Sequence, residues 1–353
     1  MLPRPLAVLG ALALAAGTVA AIRMLPAGAV PAALPPVARP PVVASSPVVT
    51  VRPPVFVGFV DTAREPGFDL PAVSRRTDIR RFALGHLVAG GDGCAPKWTG
   101  LPATSPAIGG TGSPDRSADL YGSGSRDRSA DPYRTGLLDP GRNPVANRIG
   151  RLRALGGDAA PVFGGPGGRE LAATCIRPGG LAAAYRRVVG AFDADAIDFE
   201  VRDSAERAVV LRRARAIRAM QLERRLRVSF TLRLRSYGLG SGDLAMLRAT
   251  REEGADIGTV NLLAPVEGSR LGPMATAVQA ARDQIARAHG LPDPAQAWRR
   301  IALTPVLVGE DALSEPDARK LTAYAAHHGL AWLSLRGVTP RPDVSRILWR
   351  TPP

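Results

Sequence analysis

The stretch Asp195-Ala196-Ile197-Asp198-Phe199-Glu200-Val201-Arg202 alternates charged and apolar side chains with a period of two. Successive side chains of a β-strand point to opposite faces, so Ile197, Phe199 and Val201 share one face and Asp198, Glu200 and Arg202 the other. Seven further short runs rich in Val, Ile, Phe and Leu surround it: Val55 to Val60, Phe82 to Val88, Ala160 to Gly164, Leu226 to Leu232, Ile257 to Ala264, Ile301 to Val308 and Leu330 to Leu335, with Ala196 to Val201 as the fourth in chain order. Stretches of helical character separate them; Ala205 to Arg225 and Met274 to His289 carry apolar residues at helical spacing. A doubly wound open sheet would alternate in the same way, but eight runs with few extra elements favour closure into a (β/α)8 barrel of the TIM type. Such a barrel needs about 250 residues, so the chain of 353 residues holds one, over 55–353, with extensions.

The extensions carry the cellular address. Arg4 precedes an uncharged apolar run from Leu6 to Ile22, which Arg23 closes. Residues 1–25 therefore read as a signal peptide, with Ala27-Gly28-Ala29 as a small-residue cleavage site, or as a retained membrane anchor. Either reading exports the rest, leaving it secreted or held on the outer face of the cytoplasmic membrane. Residues 26–54 contain nine prolines and read as an extended linker. Cys94 and Cys175 are the two cysteines, and in an oxidising compartment they are expected to form one disulfide, two separate buried thiols being the alternative.

Residues 103–145 break the pattern. Gly, Ser, Pro, Asp and Arg dominate there, and Asp115-Arg116-Ser117-Ala118-Asp119 recurs as Asp127-Arg128-Ser129-Ala130-Asp131. Too few apolar residues exist to bury a core, which predicts a disordered insertion after the second strand. The formal charge of +15 would favour an anionic cell envelope, although its arginines are scattered, as codon bias would also give. Aromatic residues are not interleaved with them, and an exported chain has no nucleic acid to meet. No metal or cofactor is expected.

Several phrases, in order and at suitable spacing, resemble bacterial chitinases of glycoside hydrolase family 18. Gly93-Cys94-Ala95-Pro96-Lys97-Trp98 is similar to the turn after the family's second strand. Gly156-Gly157-Asp158 through Phe163-Gly164-Gly165 is similar to its third strand, and Leu181 to Val189 with Tyr185 to the helix before its catalytic strand. Val228 to Leu232, Val260 to Leu263, Leu303-Thr304-Pro305 and Leu333-Ser334-Leu335 resemble strands five to eight. Gly164-Gly165-Pro166-Gly167-Gly168 could also suggest a phosphate loop, but lacks the following Lys and Ser or Thr; a tight barrel turn accounts for it.

The resemblance implies a site on the fourth strand, where the family carries Asp, two residues, Asp, one residue, Asp, one residue, Glu. That Glu protonates the leaving glycosidic oxygen, while the substrate's own acetamido oxygen attacks the anomeric carbon. Counting from Tyr185 places Asp198 and Glu200 on the second and third family Asp, and Arg202 on the acid. A guanidinium has no proton to give at ordinary pH. A second register, shifted by two residues, makes Glu200 the acid and Asp198 its partner.

Other cleft positions also depart from the family. Its Met-Asp-Tyr after strand six is Pro265-Val266-Glu267 here, its strand-eight tryptophan is Arg336, with Trp332 four residues earlier, and a frequent strand-three Ser is Val162. Arg202 and Arg336 are expected near Asp198 and Glu200, either as an internal salt-bridge network or as solvent-facing charges. The expectation is an exported, chitinase-like barrel without hydrolytic activity that binds a chitin-like or cell-envelope glycan or serves as a structural module, with membrane contact only through the N-terminal segment. The alternative is an active hydrolase on N-acetylglucosamine polymers.

Overall fold

A computed structural model of the chain describes residues 55–91, 93–101, 144–266 and 271–349. The N-terminal apolar segment, the Pro-rich linker, residues 103–143 of the insertion and Glu267 lie outside them. Among the described residues, ten strands form one sheet: β1 (Val57–Asp61), β2 (Arg81–Ala89), β3 (Pro96–Trp98), β4 (Asp158–Gly164), β5 (Ala196–Glu200), β6 (Arg227–Arg233), β7 (Thr259–Val266), β8 (Ile301–Leu307), β9 (Trp332–Leu333) and β10 (Arg336–Gly337). The parallel order is β1-β2-β4-β5-β6-β7-β8-β10, with β9 also beside β8 and β3 antiparallel to β2. A parallel bridge between Phe56 and Leu333 brings the last strand back to the first. This is a (β/α)8 barrel, as the period of the sequence predicts.

Among the described residues the α-helices are α1 (Leu70–Thr77), α2 (Pro144–Arg153), α3 (Leu171–Thr174), α4 (Gly180–Ala191), α5 (Arg207–Glu223), α6 (Ser241–Glu252), α7 (Leu271–His289), α8 (Glu315–His328) and α9 (Pro342–Trp349). Helix α2 thus opens two residues inside the segment read as insertion. On α5 the buried residues Val209, Val210, Arg213, Ala214, Ile217 and Met220 recur at three- and four-residue steps, the stripe an outer helix needs to cover a barrel. Ser314 caps α8 by accepting the Asp317 amide, and Gly329, at φ 65°, ends it in a conformation that costs a glycine little.

Strand alternation sorts the barrel's residues into two sets. Phe163, Phe199 and Phe230 face outward with Tyr185 of α4, their rings 4.9–5.7 Å apart, and anchor the layer between sheet and helices. Their inward neighbours include Val162, Asp198, Glu200, Ser229 and Thr231. Cys94 and Cys175 form a disulfide, buried on both sides, that ties the turn between β2 and β3 to the end of α3.

Candidate functional site

Glu200 is the last residue of β5, so its inward side chain reaches the C-terminal end of the barrel, where strands of this fold carry their chemistry. Its Oε2 accepts hydrogen bonds from His86 Nε2, at 2.8 Å, and from Arg336 Nη1. All three side chains are largely hidden, with 11%, 3% and 11% exposure for Glu200, His86 and Arg336. The Arg336 guanidinium also lies 3.7 Å from the centre of the Phe59 ring, on β1.

His86 arrives through an irregularity in β2. Gly85 pairs with Val162 and Leu87 with Phe163, so His86 is the extra residue of a bulge, a device that re-aims a side chain. Gly165 makes room for it: a Cβ there would stand 2.5 Å from His86 Nε2, and the residue's φ of +75° also requires glycine.

Burial pushes the Glu200 carboxyl up, but the hydrogen bond from His86 and the charge of Arg336 outweigh it and hold the group at about 2. Glu200 is therefore ionised at ordinary pH and accepts only, which fixes the proton of the facing imidazole on Nε2. Asp198 is treated differently. Its two oxygens accept from Ser229 Oγ at 2.5 Å and Thr231 Oγ1 at 2.7 Å. Asn261 Nδ2 donates to Thr231 Oγ1, and Thr304 Oγ1 donates to Asn261 Oδ1, completing a polar chain across β5, β6, β7 and β8. Here burial outweighs the hydroxyl donors and lifts the carboxyl to about 6.

Arg202 lies two residues beyond β5, is exposed, and makes no ion pair among the described residues. It borders a groove of about 310 Å³ between the Gly164–Ala173 turn and residues 200–206, which Arg169, Asp203 and Glu206 also line. Of the expected network, the structure thus forms the Arg336–Glu200 pair, leaves Arg202 in solvent, and gives Asp198 hydroxyls instead of a cation. Val162 is buried beside Asp198 in the register. Pro265 is exposed and Val266 buried at the end of β7. Trp332 lines the opposite half of the barrel from Glu200, so it makes no floor for the groove. Among the described residues, no group of three or more His, Cys, Asp or Glu side chains is arranged to hold a metal.

Behind the groove stands a second buried cluster that the sequence does not announce. Arg213 is fully buried on α5 and pairs with Glu170 at 3.1 Å and Asp203 at 2.6 Å. Tyr185 donates to Glu170 at 2.5 Å, while the other Glu170 oxygen caps α3 at Ala172. Burial, and after it the charges of Glu170 and Asp203, raise the Tyr185 hydroxyl well above its ordinary value. The signal available was a lone His in an apolar strand for His86; Arg213 looks like any other arginine of an arginine-rich helix.

The architecture is that of a glycoside hydrolase family 18 chitinase-like fold. It is similar to the catalytic domain of the hyperthermophilic chitinase from Pyrococcus furiosus, with a TM-score of 0.63 and 19% identity over 84% of this chain and 95% of that one. Catalytic-site mutants of active domain 2 of a thermostable chitinase from the same organism, solved with chito-oligosaccharides, give 0.62 and 19% over 85% and 95%. The Bacillus cereus spore cortex-lytic enzyme SleL gives 0.53 and 11% over 84% and 74%. No family model and no curated protein matches the sequence.

Proposed function

We propose that this protein is an exported chitinase-like barrel that does not hydrolyse glycosidic bonds and acts as a glycan-binding or structural module. One observation carries the reading: the inward carboxylate at the end of β5 is clamped by Arg336 and His86 and held ionised. A general acid must carry a proton at the working pH, and a carboxyl held well below its ordinary 4.5 by His86 and Arg336 carries one in only a small minority of molecules. Both registers therefore lead to the same place. If Arg202 stands where the acid should be, the proton is missing; if Glu200 does, the proton is already gone.

The groove beside Arg202 supports a polar ligand, since Arg169, Arg202 and Glu206 offer hydrogen bonds in both directions. A chitin-like or cell-envelope glycan is the class that the fold's relatives suggest, one of them having been solved with chito-oligosaccharides. The apolar run from Leu6 to Ile22 supports export. The second reading, an active hydrolase with Glu200 as acid and Asp198 as its partner, is supported by the shared inward face of these two residues.

Hydrolysis of an aryl chitooligosaccharide by the full chain and by a Glu200→Gln variant separates the readings. No turnover in either, with sedimentation of the protein on insoluble chitin, is expected. Turnover that disappears in the variant would sink the proposal.

A further inference from the structure

The interior of a TIM barrel is ordinarily filled by layers of bulky branched side chains. Here the inward positions near the N-terminal ends of β2, β4 and β5 are Ala83, Ala160 and Ala196, which leave a hollow of about 390 Å³. That volume lies within the range of small-molecule sites. The hollow is bounded toward the C-terminal end by Asp198 and Arg336, and there the pairing of Arg336 with Glu200, over Phe59, fills the mouth. At the other end the first residues of β2 and β6, Arg81 and Arg227, form the rim; both are exposed.

Neither rim arginine has an ion pair among the described residues, whereas the one rim carboxylate, Asp158, is already taken by Arg153 at 2.9 Å. Between rim and ceiling the exposed wall is more apolar than polar: Val57, Phe59, Trp332 and the alanines line one part of it, and Ser229, Thr259 and Asn261 the other. We propose that the N-terminal end of the barrel is a binding site for a small amphiphilic anion, its charged head on Arg81 and Arg227 and its apolar body in the alanine-lined hollow. The orientation follows from charge. Asp198 at the inner end disfavours an anionic head there, while two unpaired guanidiniums attract one at the rim. This site lies at the end of the barrel opposite Glu200 and does not depend on the glycan reading.

The test is a fluorescence titration of the full chain with 8-anilinonaphthalene-1-sulfonate, an anion with an apolar body. Saturable binding is expected, displaced by decanoate and not by decanol. Arg81→Glu combined with Arg227→Glu lies on exposed positions and keeps the fold; it should weaken binding about tenfold or more, the size of a lost charge-assisted hydrogen bond. Ala160→Leu with Ala196→Leu fills the hollow and should abolish binding, with circular dichroism confirming that the variants are folded. No saturable binding to the native chain, an unchanged affinity in the rim variant, or equal displacement by decanol would overturn the proposal.

Discussion

Replacing Arg336 by methionine removes one of the two groups that hold Glu200 ionised, while a flexible apolar side chain of comparable length stays over Phe59. The pair is nearly hidden, with both side chains 11% exposed, so screening by solvent is weak. The fall of the Glu200 carboxyl from 4.5 to about 2 corresponds to about 3 kcal/mol of preference for the charged form in the folded state. Taking away one partner of a buried pair ordinarily costs about 3–5 kcal/mol, because the remaining charge is left without compensation. Arg336→Met should therefore lose about 3 kcal/mol or more near pH 7, and less near pH 4, where a Glu200 with a raised value can take up a proton instead. Glu200→Gln in the same chain should recover about half of the loss or more, leaving about 1 kcal/mol for the vanished cation–π attraction to Phe59. Urea denaturation followed by circular dichroism, with linear extrapolation for the single and double variants, measures each quantity. A loss below about 1 kcal/mol near neutral pH, or the same loss in the Glu200→Gln background, would refute the clamp.

Asp198 should pull stability the opposite way. Its folded value of about 6 lies above the ordinary 3.8, so its contribution is full below pH 3.8 and falls by about 3 kcal/mol as pH rises through 6. Glu200, lowered from 4.5 to about 2, contributes above 4.5 and is lost as pH falls through 2. Thermal melts across pH should peak near pH 4, where the rise from Glu200 gives way to the fall from Asp198, and Asp198→Asn should remove the descending limb on the neutral side. Arg213→Met, which strands Glu170 and Asp203, should cost about 3–5 kcal/mol in urea titrations, with Glu170→Gln recovering part of it. Opening the Cys94–Cys175 bond, which spans 81 residues, should lower stability by roughly 4 kcal/mol on loop entropy, read from the denaturant midpoint with and without reductant.

The strands were legible because a residue's face is written in its parity. The run from Ala196 to Val201 stands as β5, ending one residue sooner, and Ala205 to Arg225 stands as α5 with two residues trimmed from each end. Of the eighth run, Leu330 to Leu335, only Trp332 and Leu333 are strand, as β9, and pairing with β8 resumes just past its end in β10, which the run's apolar content does not encode. Partners were the harder matter. Parity says that Glu200 points inward, and the family resemblance put Arg336, 136 residues after it, at the same mouth, but neither says that it meets His86, 114 residues before it. A bulge delivers His86, and no local pattern marks the extra residue. Arg213 and its neighbours Arg212 and Arg215 are chemically alike, so the buried one is identified only by the carboxylates that fold around it. The hollow could have been read, since Ala83, Ala160 and Ala196 all occupy inward parity, yet composition counts alanine as core.

Helix α3 has only four residues, far fewer than a helix needs to persist unaided. Its shape is imposed from both ends: Glu170, itself gripped by Tyr185 and Arg213, starts it, and the half-cystine at residue 175 follows its last turn. The covalent staple and the ionic clasp are thus fastened to the same small tab, in series. Severing either one should free its amides to exchange with solvent together, so that this side of the barrel's upper edge yields as one plate and not residue by residue.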